Sequence, residues 1–67
     1  MKTLGQALPE EQARVREILG HYKEIGSAGA FGALMIENSL QTADKAVISG
    51  DPVEMLRAYE DLQTIKE

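Results

Sequence analysis

The 67-residue chain has no cysteine and no tryptophan, one histidine (His21), and three aromatic side chains in all, Tyr22, Phe31 and Tyr59. Each absence removes a class of solution. Without cysteine there is no disulfide framework, and one histidine with no thiolate gives a four-ligand structural zinc site nothing to build on. Three aromatics cannot furnish both a core and a platform for stacking single-stranded bases. The seven basic residues, Lys2, Arg14, Arg16, Lys23, Lys45, Arg57 and Lys66, are scattered among eleven acidic ones, for a formal charge of −4. Duplex nucleic acid demands a clustered positive footprint, so it is not an expected partner. The longest apolar run is Ala33 to Ile36, or Ala30 to Ile36 through Gly32. That is far below the about 20 residues of a membrane span, and no membrane partner is expected. The N-terminal stretch lacks the sustained apolar segment of a secretory signal, which makes the cytoplasm the expected location.

What is present is a modest apolar set. Setting aside eight alanines and Met1 leaves 20 large apolar side chains to build a core. Chains of this size rarely fold on such a core alone, and with disulfides and zinc removed, oligomerisation is the common remaining supplement. The same shortage argues against an enzyme, because a pocket that encloses a substrate consumes apolar residues needed for folding.

Helix formers dominate, no strand pattern occurs, and the punctuation falls at Pro9, at Gly26 to Gly32, and at Gly50 to Pro52. This predicts one all-α domain over residues 1–67: helices over about 9–25, 28–49 and 52–65 in an up-down-up arrangement, with residues 1–8 flexible or extended. The first helix opens on Pro9, with Glu10 and Glu11 in its first turn, and carries a stripe of Leu8, Val15, Ile18, Leu19, Tyr22 and Ile25. Gly26 stops it, and Ser27 is the expected N-cap of the second helix. Placed at 100° intervals, Gly29, Ala33, Ile36, Leu40, Ala43 and Val47 share the core face of that second helix. The third helix has the clearest start, Asp51-Pro52-Val53-Glu54, and a stripe of Met55, Ala58, Tyr59, Leu62 and Ile65.

Two features invite a functional reading. Phe31, Leu34 and Met35, with Asn38 beside them, lie opposite the core face of the second helix and form the expected oligomer or partner interface, in which Asn38 can fix register. The string Gly26-Ser27-Ala28-Gly29-Ala30-Phe31-Gly32 is either a tight turn whose small residues let two helices approach or an anion site. In the second case Gly26, Ser27, Gly29 and Gly32 leave backbone amides open at a helix start, and in an oligomer Lys23, Arg14 or Arg16 of a neighbouring copy supplies counter-charge. It lacks the Gly-Lys-Ser/Thr of a phosphate-binding loop and the strand and spacing of a dinucleotide fingerprint. No catalytic constellation stands out: Glu17 and His21 are four apart on a helix surface, while Glu10 with Glu11 and Glu60 with Asp61 are adjacent and point apart. No metal and no cofactor are implied.

The residues Leu8-Pro9-Glu10-Glu11, Ala28-Gly29-Ala30-Phe31-Gly32-Ala33, Met35-Ile36-Glu37, Ser49-Gly50-Asp51, Glu54-Met55 and Ala58-Tyr59 resemble, over most of the chain, small acidic helical proteins encoded by phages and prophages. The resemblance implies an accessory protein of a bacterial cytoplasm that acts without catalysis. It would do so as a helical homo-oligomer that occludes or adapts a host protein, in counter-defence or host takeover. The alternative is a sponge that holds a phosphorylated or cyclic-nucleotide immune signal at the Gly-rich start of the second helix.

Overall fold

The computed structural model describes residues 2–66, and over these the chain is all-α. Helix α1 spans Leu4–Glu24, a single 3₁₀ turn spans Gly26–Gly29, α2 spans Ala30–Ser49, and α3 spans Pro52–Gln63. Every pair of helices is in contact. Their directions can be read from ion pairs. Arg16 meets Asp44 and Lys23 meets Glu37, so seven residues up α1 correspond to seven down α2, and the two run antiparallel.

The first helix starts earlier than Pro9. Residues 4–8 are helical, not flexible or extended, because Thr3 and Gln6 close a reciprocal capping box. The Thr3 hydroxyl accepts from the Gln6 N–H at 3.3 Å, and the Gln6 side-chain oxygen accepts from the Thr3 N–H at 3.2 Å. Pro9 therefore lies inside α1, where its ring removes the donor that would serve the Gly5 carbonyl. Gly5 is exposed, so water can take that role. The extra turn is anchored by Leu8, which is fully buried.

The two glycine stops behave as the sequence indicates. Gly26 and Gly50 adopt φ of +80° and +71°, the left-handed conformation that ends a helix at little cost for glycine alone. Ser27 does not cap α2: the chain passes through the 3₁₀ turn, Gly29 takes the N-cap position, and no side chain bonds the first amides. At α3, Asp51 caps as expected, accepting from the Val53 N–H at 2.9 Å, with Pro52 in the first turn.

Of the 20 large apolar residues, six are buried (Leu8, Val15, Ile18, Ile36, Leu40 and Leu62), and alanines 33, 43, 46 and 58 fill the remaining core positions. Two expected core residues are not there. Ile25 is exposed because the helix ends beneath it, and Val47 is half out because the contact line of α2 steps from Ala43 to Ala46.

A candidate interaction face on the second helix

The glycine string packs against Tyr22. A Cβ on Gly29 would lie 2.3 Å from the Tyr22 carbonyl oxygen, and one on Gly32 would lie 2.6 Å from the Tyr22 ring. A side chain at Gly29 would have to displace backbone, and one at Gly32 would have to displace the Tyr22 ring. Close approach of two helices thus accounts for both glycines, and Gly26 is accounted for by its positive φ.

Within one chain, Arg14 and Arg16 are engaged away from the glycine string, and Lys23 beside it is paired with Glu37. Arg14 lies between α1 and the end of α3. Its Nε and Nη2 donate to the two Glu11 carboxylate oxygens at 3.0 and 2.9 Å, and its Nη1 and Nη2 donate to the carbonyls of Ile65 and Leu62, both at 2.9 Å. The guanidinium is a C-terminal cap for α3 delivered from α1, and its hydrogen bonds to Glu11 raise its pKa above the ordinary arginine value. Arg16 donates from Nη2 to both Asp44 oxygens, at 2.9 and 3.1 Å. Gln12, a buried polar residue, donates to the same carboxylate at 2.7 Å. Lys23 pairs with Glu37 at 3.1 Å across the turn. Lys23, Gly26 and Ser27 do share one shallow depression with Leu34 and Glu37, but Arg14 and Arg16 are not part of it. No buried side-chain nitrogen or oxygen among the described residues lacks a hydrogen-bond partner, so none is left aimed at a ligand.

The other expected site has the required exposure. Phe31, Leu34 and Met35 are 75%, 57% and 57% exposed, and Asn38 is exposed beside them. The cluster expected from sequence ends at Asn38, yet the same outward face continues through Gln41, Thr42 and Lys45 to Ile48, which is 85% exposed. The signal for this extension is the spacing, which alternates three and four from Phe31 onward. Beside this face an open groove of about 470 Å³ separates α2 from α3, with Lys45 and Thr42 on one wall, Glu54, Arg57 and Asp61 on the other. Val53 and Leu56, also exposed, lie outside it on α3.

Among the described residues no three acidic or histidine side chains converge on a metal site, and no helix is long and apolar enough to cross a membrane. Comparison with protein-family models, with curated proteins and with solved structures gave no match, which leaves the fold and its surfaces as the basis for a functional reading.

Proposed function

We propose that this chain works by binding and not by turnover, as a helical homo-oligomer in which the outward face of α2 is the self-association surface. One observation carries the reading: four large apolar side chains, Phe31, Leu34, Met35 and Ile48, stand on one exposed helix face while only six such residues fill the core. Covering a side chain of this kind fully is worth about 1.5–3 kcal/mol. A twofold dimer covers each of them twice, which amounts to on the order of 10 kcal/mol against an association cost of about 4–15 kcal/mol. The gain matches the need of a small dimer.

The biological role that accompanies this reading is that of a phage-type accessory protein in a bacterial cytoplasm, its target a host protein that it inhibits or adapts. Resemblance to small acidic phage-encoded helical proteins supports that role, as does an acidic surface on which Arg14, Arg16 and Lys23 are held in internal ion pairs. The ligand-sponge alternative has less support, since Gly29 and Gly32 pack against Tyr22, Gly26 carries a positive φ, and Arg14 and Arg16 tie helices away from the string.

Sedimentation equilibrium on the native chain and on Leu34→Asp tests the proposal. A dimer that becomes monomeric in the variant, with helicity unchanged by circular dichroism, is the expected result; equal masses for the two would sink the interface. Thermal-shift screening against nucleotides and cyclic dinucleotides addresses the sponge, which requires a rise in melting temperature with ligand concentration. No shift is expected.

A further inference from the structure

Phe31, Leu34, Asn38, Gln41, Lys45 and Ile48 follow one another at spacings of three, four, three, four and three, and all six are exposed. That alternation keeps a seam turned toward a single helical partner. Neither neighbour in the chain covers it: α1 holds the Glu37 and Asp44 side of α2, and α3 lies along the Ala46 side, where Lys45 alone of the six borders the groove between the two helices. The seam is apolar at both ends and polar in the middle.

We propose that a second copy of this chain lies antiparallel along the seam, with the twofold axis between Ser39 and Leu40. This inference rests on the self-association reading above and adds its direction and register. Phe31 of one copy then meets Ile48 of the other, Leu34 meets the aliphatic stem of Lys45, and Asn38 meets Gln41. The charges select this direction. A parallel pair in register stacks Lys45 on Lys45, whereas the antiparallel pair sets each Lys45 over Leu34 of the other copy and holds the two lysines about 16 Å apart along the axis. Both apolar ends are covered in the antiparallel pair, each by the opposite end. At the centre, two side-chain amides, each both donor and acceptor, face one another and oppose slippage of the register. Phe31 and Ile48 of a single copy stand about 25 Å apart along the axis. A parallel and an antiparallel dimer therefore place them very differently.

Because the chain has no cysteine, introduced thiols report without background. Phe31→Cys and Ile48→Cys chains are mixed under oxidising conditions, at a concentration where sedimentation shows the native dimer. The mixed disulfide is the expected main product, and each variant alone is expected to remain reduced. A second pair, Asn38→Cys with Gln41→Cys, removes no apolar contact. It keeps the test valid if the end substitutions weaken the dimer, and its mixed product is expected to form fastest. Disulfides in the Phe31→Cys or Ile48→Cys sample alone would make the copies parallel, overturning the direction while leaving self-association intact. A dimer that cross-links in neither mixture would put the interface on another face and overturn the inference. A monomer at every concentration would remove the self-association reading itself.

Discussion

The inner and outer faces of α2 both carry large apolar residues, but arranged by different rules. The inner face, Ala33, Ile36, Leu40, Ala43 and Ala46, mixes two large side chains with three alanines, so α1 and α3 can approach closely. The outer face keeps its large apolar residues at the two ends and places Asn38, Gln41, Thr42 and Lys45 between them. A helix that only had to solvate its outer side would gain nothing from Phe31 or Ile48 there. The difference separates a face that the chain's own fold covers from one that it leaves exposed.

Substitutions separate the two faces. Leu40→Ala, on the inner face and 4% exposed, is expected to cost about 2–5 kcal/mol, enough to unfold a chain this small at room temperature. Urea melts followed by circular dichroism read it. Gly29→Ala comes next, at about 1–3 kcal/mol, because the obstacle is the Tyr22 carbonyl and not a flexible side chain. A melt indistinguishable from native would mean that α2 is not held that close to α1. Arg14→Lys keeps the charge but loses the fork that serves Leu62 and Ile65 together. A loss of about 1 kcal/mol is expected, with faster amide exchange confined to the end of α3. Gly20→Ala changes sign: nothing lies within 4 Å of a Cβ there, so the helix gains about 0.5–1 kcal/mol. Smallest of all, Leu34→Ala on the outer face is expected to shift monomer stability by less than about 0.5 kcal/mol while weakening self-association.

Much of the fold is legible in the chain. Gly26, Gly50 and Asp51-Pro52 mark helix boundaries through local backbone chemistry, and the outward cluster of Phe31, Leu34 and Met35 follows from periodicity alone. Where sequence and structure part, the causes are local too. Pro9 attracts the helix start because proline suits a first turn, although Thr3 and Gln6 already carry a capping box one turn and a half earlier. Val47 falls on the core side of a straight helical wheel, which ignores the drift of the contact line toward α3. The packing role of the glycine string is hidden for a different reason. What makes Gly29 and Gly32 necessary is Tyr22, and what occupies Arg14 is the end of α3, 48 and 51 residues along the chain. Such contacts have no signature in local spacing.

Coverage of the outer face of α2 by a second copy is tested most directly by sedimentation equilibrium over a wide concentration range, run on the native chain and on Leu34→Asp. Twice the chain mass for the native protein, falling to the monomer for a variant that keeps its helicity, is the expected outcome. A native chain that stays monomeric at every concentration, or a variant that stays dimeric, contradicts it.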